Sequence, residues 1–398
     1  MKLFDSLFQR KRAGKEDIPA QYGAGQVNQI PEEIDKLEHL PMVESIERDT
    51  QNIIRGNRKR FMENHDYNIK LIKDLLPDEN LVWETFRLGS ISKTKVSLVY
   101  LKNKANPGIV QEIKERIKDI KSEIVLDSSY IERNIENSTY SPFPQLEISR
   151  RPDVAESALT QGRVAIIIDG ASDVLLAPVT FFELMDTPDD AYFRWFFAGN
   201  FFRLARYIMF ILAASLPGIY IALTSFNSEL IPSVLLLNIL ACREETPFPI
   251  YFETFFMMGT AEAIRMMMFR MPNLIGVTAG LFSGIALVGA GLVANIIGES
   301  VVIIVTLAIL CSFSIANNDL RNAIRIIQFF TMIMTSFFGL FGYAVAFFYI
   351  AIHLATLKSF GIPYMAPLAP LEGSGLGHTI YRENTKIMSQ DETFQPKP

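Results

Sequence analysis

Between residues 203 and 357 the chain is dominated by apolar runs, at 207–225, 274–297, 301–316 and 326–357. Each holds roughly 16 to 30 mostly apolar residues, against the about 20 that a bilayer-spanning helix needs. The pattern predicts a membrane domain over 201–357 with about four spans. The stretch 231–272 is also apolar but carries Arg243, Glu244, Glu245, Glu253, Glu262, Arg265 and Arg270. A charge at bilayer depth costs at least about 2.5 kcal/mol, so these groups are expected to face a cavity, a partner or the interface. Segment 231–242 is too short to cross alone and is flanked by Pro232 and Arg243, which predicts a re-entrant or interfacial piece.

The first half has a different rhythm. Helical pattern begins near Pro41, resumes in RFMENHDYNIKLIKDLL and breaks at Pro77 and Asp78. TKVSLVYL (94–101) alternates as a strand. Ile109, Ile113, Ile117 and Ile120 then share one face of an amphipathic helix. A further helix is expected at 128–136. RVAIIID (163–169) and VLLA (174–177) read as strands, separated by Gly170. Strand–helix–strand order implies a compact α/β domain. The fold class is therefore an α/β soluble N-terminal domain followed by an α-helical polytopic membrane domain. Its organisation is a tail or linker at 1–45, a soluble domain at 46–200, the membrane domain, and a C-terminal tail at 358–398. The soluble part should close on an interfacial helix that opens at Pro188 and carries Arg194, Arg203 and Arg206.

Composition sharpens this. The net charge is −5 and the mean hydropathy +0.20, an average over two unlike halves. The acidic balance argues against nucleic acid as a partner. The basic cluster at 10–15 has no apolar run behind it, so no signal peptide is expected. The basic residues before Tyr207 place the N-terminal domain in the cytoplasm by the positive-inside rule. Cys242 and Cys311 lie in apolar segments and build no metal or disulfide framework. His39, His65, His353 and His378 show no ligand spacing. No catalytic motif is present, so the reading is of a non-enzyme with no cofactor and no metal.

The intramembrane polar residues are the candidates for function. Glu253 and Glu262 project about 180° apart on one helix and do not share a site. Glu262 and Arg265 are spaced to pair. Glu253 lacks a nearby base in sequence and is expected to face a water-filled interior. Gly276, Gly280 and Gly284 recur every four residues and permit close helix contact, within the chain or between subunits. Thr278 and Ser283 lie on the same span. Asn295 and Glu299 form a polar cap after it, and Asn317 another after the third span. Such caps suit a channel mouth and suit ordinary loops equally.

Longer motifs carry a resemblance. GSISKTKVSLVYL, LDSSYIE, RPDV at Arg151, GRVAIIIDG, DDAYFRW, SLPGIYIALTSFNSELIP, REETPFPIYFE, RMPNLIG and LKSFGIPYMAPLAP are similar to the GerA family of bacterial spore-germination proteins. The likeness is to its A subunits and the related SpoVAF protein, and covers about 52–371. It implies a germinant-receptor subunit in the inner spore membrane, a homo-oligomer that conducts cations when nutrient is sensed. The partners it implies are a transporter-like B subunit, a lipoprotein C subunit and the lipid bilayer. The alternative it implies is a non-conducting accessory protein of the SpoVAF type. An additional soluble subdomain usual in the family is expected to be missing here. Val277, Val288, Val293, Met266 and Ala316 stand where the family commonly has Gln, Gly, Glu, Glu and Pro.

Overall fold

The sheet of the soluble domain forms because three strands are apolar on both faces. The computed structural model describes residues 59–187, 196–271 and 273–371. The expected helical start near Pro41 and the helix opening at Pro188 lie outside these residues. Helix α1 (His65–Leu75) is capped by the Asn64 side chain, which accepts from the Tyr67 N–H. Strands β1 (Leu81–Leu88) and β2 (Thr94–Leu101) form a hairpin. Helix α2 (Pro107–Lys118) and α3 (Ser128–Ile135) follow. Then come β3 (Glu147–Ser149), α4 (Pro152–Thr160), β4 (Val164–Ile168) and β5 (Val174–Ala177). The sheet order is β1-β2-β4-β5-β3, with every pairing antiparallel.

Alternation along each strand sends side chains to opposite faces. Val96, Leu98, Ile166 and Leu175 meet Ile113, Ile117, Ile131 and Ile135 of α2 and α3. Val99, Ala165, Ile167 and Leu176 meet Leu71 and Ile72 of α1 and Ala155 and Leu159 of α4. The sheet is thus covered on both sides, and its central strands are buried throughout. Strand β1 was not expected from sequence, because its alternation is half polar.

Helix α5 (Phe181–Met185) leads toward the membrane part. Helix α6 (Phe196–Ser225) runs 30 residues away from the sheet. Helix α7 (Ser233–Ala241) is short and follows the far end of α6. Its last turn is followed by Arg243, which contacts Glu253 of α8 (Ile250–Arg270). Helix α8 runs back toward the sheet, since Glu253 touches Gly298 and Glu262 lies near Arg325. Helix α9 (Asn273–Val293) returns outward against α8, and α10 (Glu299–Phe313) runs inward again.

Residues Asn318–Thr356 form α11. At about 1.5 Å per residue a straight helix of that length would reach roughly 58 Å, about twice a hydrocarbon core. It is not straight. Gly339 has φ 60° and ψ −140°, a conformation open only to glycine. Phe330 and Tyr349 meet across the break with ring centroids 5.6 Å apart, so α11 is a hairpin of two limbs. Leu354 near its end packs in the same cluster as Leu320 and Ile324 near its start. Both ends therefore lie beside the soluble domain, and Gly339 lies beside Phe226 at the far end of α6.

Three described helices are long and apolar enough to cross a membrane: Gly199–Ser225, Ile275–Val293 and Asn318–Thr356. Helix α10 is apolar but shorter. The single span expected at 326–357 is replaced by the hairpin, because Gly339 reverses the chain. Segment 231–242 starts and ends at the level of the α6 C-terminus. Cysteines placed at Ser233 and Asn238 are expected to react from the face opposite the soluble domain and not from the other. Labelling from both faces, or from the soluble-domain face alone, contradicts the placement.

Candidate functional site

Two levels of polar groups and one seam are built by these helices. At the far level, Glu253 is 1 % exposed. Its Oε2 accepts from the Gly298 N–H at 3.0 Å. Its Oε1 lies 3.1 Å from Nη2 of Arg243. Among the described residues no N–H points at Oε1, so the contact with Arg243 is an ion pair and not a hydrogen bond. Arg243 instead donates Nη2 to the Phe248 carbonyl at 3.0 Å. Tyr220 Oη and Ser300 Oγ are 2.8 Å apart beside this pair. Glu299 accepts from the Cys242 thiol at 3.8 Å, and Asn295 donates to Glu245.

This corrects the expectation for Glu253. The carboxylate does not face a water-filled interior in the protomer; it is closed off by Arg243, ten residues earlier across a proline-containing turn. Sequence spacing missed the pair because the two residues lie on different elements.

At the near level, Glu262 contacts Arg265 directly, as its spacing allows. Arg325 of α11 is 3.7 Å from the same Glu262 oxygen. Asn317 caps α11, accepting from the Asp319 and Leu320 N–H groups at 2.9 and 3.0 Å. Between the levels, Thr278 donates to Ile275 O at 3.1 Å and Ser283 to Ala279 O at 2.6 Å, each on its own helix. The candidate polar residues thus lie at both levels and between them.

The glycine face turns toward α8 of the same chain. A Cβ at Gly276 would lie 2.8 Å from the Met268 carbonyl oxygen, which is backbone. At Gly280 it would lie 2.6 Å from Met268 Sδ, the end of a flexible side chain, and at Gly284 4.0 Å from Ile264 Cδ1. Alanine substitutions should therefore lower the melting temperature in detergent in the order Gly276, Gly280, Gly284. A reversed order would mean that another surface, such as a second subunit, governs this face.

The seam joins the soluble domain to the hairpin. After α11 the chain forms a small β-hairpin, β6 (Lys358–Ser359) and β7 (Ile362–Pro363). Its tip puts Phe360, 1 % exposed, among Leu98, Ile117 and Leu175 in the sheet core. The Arg116 guanidinium sits 4.9 Å over its ring. Ser359 Oγ donates to Gln145 O at 2.8 Å and accepts from the Val179 N–H at 3.2 Å. The Phe181 N–H donates to Tyr364 O at 2.8 Å. His353 Nε2 and Ser141 Oγ are 2.9 Å apart, and Phe143 packs on the same imidazole. Phe181 meets Phe210 of α6 edge-on at 5.0 Å. An apolar cavity of about 330 Å³ lies in this seam, bounded by α5, α6, both limbs of α11 and Met365.

An acidic group lies beside the seam. Burial pushes the Glu132 carboxyl up to about 7, helped by Glu136, Asp319 and Asp127 and opposed by Arg133. Glu136 is raised by burial and by Asp319. An acid whose folded pKa exceeds its unfolded value, about 4.5, binds more protons when folded. Its favourable contribution is complete below about 4.5 and is lost as pH rises through about 7. The melting temperature is expected to be higher near pH 5.5 than near pH 8, with Glu132→Gln flattening that slope. An unchanged slope in the variant would remove Glu132 from the effect.

An α/β domain interlocked with a polytopic helical bundle defines a class of membrane protein with a soluble domain coupled to its helices. The chain belongs to the family described as Bacillus/Clostridium GerA spore germination protein, which matches residues 37–394. It is 37% identical over 323 residues to the uncharacterized membrane protein YfkQ of Bacillus subtilis (strain 168), covering 81% of this chain and 63% of that one. It is 36% identical over 318 residues to spore germination protein A1 of the same organism, covering 80% and 66%. Spore germination protein GerLA of Bacillus cereus is 36% identical over 356 residues, covering 87% and 72%. The chain thus spans about two thirds of the length of these relatives. The solved N-terminal domain of the A subunit of the Bacillus megaterium spore germinant receptor GerK3 aligns at 36% identity. That alignment covers 31% of this chain and 98% of the other, with a TM-score of 0.26.

Proposed function

We propose that this chain is the membrane subunit of a spore germinant receptor-like complex, which couples a signal in its soluble domain to cation release. In this reading it is a homo-oligomer in the inner spore membrane, with the α/β domain in the cytoplasm. Its partners are a transporter-like B subunit and a lipoprotein C subunit. The observation that carries the reading is the seam. Phe360 and His353 fasten the hairpin to the sheet, so a displacement of the soluble domain moves the helices that would line a conduction path. Relatives named as spore germination proteins match most of the chain and support the same role.

A second reading, a non-conducting accessory protein of the SpoVAF type, is favoured by one observation. Within the protomer, Glu253 is closed by Arg243 and Glu262 by Arg265, which leaves neither acid free to select cations. The test is reconstitution of the full chain into potassium-loaded vesicles, with oligomeric state measured on the same sample. Potassium release by an oligomer supports the conducting reading. An oligomer that stays tight, alone and with a B and a C subunit present, supports the accessory one.

A further inference from the structure

At the near level, one cluster of described residues joins three guanidinium groups to one carboxylate. Arg265 comes from the last turns of α8, and Arg321 and Arg325 from the first turns of α11. Arg265 and Arg321 flank Phe313 at the end of α10, their Cζ atoms 6.0 and 5.9 Å from its ring centroid, and Arg325 joins them through Glu262. Among the described residues, Glu262 is the acid paired with them, touching Arg265 and lying 3.7 Å from Arg325. Arg321 donates to the Ile315 carbonyl and Arg325 to Asn322 Oδ1 at 3.0 Å. Both are neutral acceptors. The Nε atoms of Arg321 and Arg325 are buried and have no hydrogen-bond partner among the described residues. Three positive charges against one negative leave an excess that no other carboxylate among the described residues pairs.

The surroundings say what kind of anion balances it. Phe313, Met266, Phe269 and Ile326 are 54 to 78% exposed around the cluster, and the helices of Phe313 and Ile326 are apolar or of membrane-crossing length. The cluster sits at the soluble-domain end of these helices, where headgroups would lie. Guanidinium forks match phosphate oxygens in pairs. Basic pockets between membrane helices on the cytoplasmic side, where the function proposed above puts the soluble domain, take anionic lipid headgroups.

We infer that Arg265, Arg321 and Arg325 form an inter-helical phosphate-anion site, with the Phe313 ring beside it. The shared chemistry is a phosphate group, from an anionic phospholipid or from free phosphate. The apolar flanks favour the lipid, whose chains would run along Phe313 and Ile326. The site does not depend on whether the protein conducts.

The experiment uses the full chain in neutral detergent with equal amounts of phosphatidylglycerol and phosphatidylcholine, read by native mass spectrometry. The wild type is expected to retain phosphatidylglycerol selectively. Arg321→Gln/Arg325→Gln should reduce that selectivity about thirtyfold, from two lost surface charges. Glu262→Gln should raise it about fivefold, because it removes the competing carboxylate. A damaged fold does not produce a gain, so Glu262→Gln decides the matter if the double variant fails to fold. Millimolar inorganic phosphate forms the second arm, with sodium chloride at equal ionic strength as its control. Displacement of the lipid by phosphate alone assigns the site to free phosphate, and retention assigns it to the lipid. Equal retention of the two lipids by the wild type overturns the inference. So does selectivity that neither Arg321→Gln/Arg325→Gln nor Glu262→Gln changes.

Discussion

Phe360→Ala should lower the unfolding free energy of the full chain by about 3–5 kcal/mol, the usual cost of truncating a buried phenylalanine. The side chain is 1 % exposed and sits among aliphatic residues of the sheet and of α2. The loss combines removed contacts with a cavity that strands and helices cannot collapse to fill. The Arg116 contact over the ring adds about 0.5–1 kcal/mol if partly exposed. Phe360→Leu should recover part of the loss, since it refills most of the volume. The measurement is denaturant unfolding in detergent, with hydrogen exchange of β2 and β4 as a local readout. A shift below about 0.5 kcal/mol would mean that the tip of the β-hairpin leaves the core in solution.

The second large effect is expected at Arg243. Glu253 has no side-chain exposure. Arg243→Met leaves that carboxylate buried with only the Gly298 N–H to hold it, at a cost of about 3–5 kcal/mol. Arg243→Met/Glu253→Leu should restore most of the stability, because a buried pair contributes little beyond what apolar residues supply. The same unfolding assay gives both values, and their non-additivity measures the coupling. If Arg243→Met costs less than about 1 kcal/mol, water reaches Glu253. The water-facing reading of that acid would then return.

Much of the fold was legible in the sequence for a physical reason. Strands β4 and β5 are short and wholly apolar, with Gly162 and Gly170 on either side of β4, and helices α2 and α3 carry regular apolar faces. Local pattern and final burial agree there. The Glu262–Arg265 pair was legible for the same reason, being one helical turn apart. What escaped depends on reversals and on distant elements. Gly339 looks like any glycine in an apolar run, and only its backbone angles turn one long span into a hairpin. Arg243 meets Glu253 across a turn. Arg321 and Arg325 join Arg265 from a helix far along the chain, with no spacing to announce it. Apolar periodicity also does not reveal that Phe360, after the last membrane helix, belongs to a core formed by the first half of the chain.

That last contact sets the order in which the molecule is completed during synthesis. The ribosome delivers the sheet and helices α1 to α4 first, then every membrane helix, and Phe360 only afterwards. Until then the core cluster that receives Phe360 lacks that side chain, and its slot is empty. The soluble domain therefore reaches its final packing after the hairpin has been threaded and returned. A chain whose helices insert incorrectly carries an unfilled core on the side where the soluble domain lies, exposed to proteolysis there.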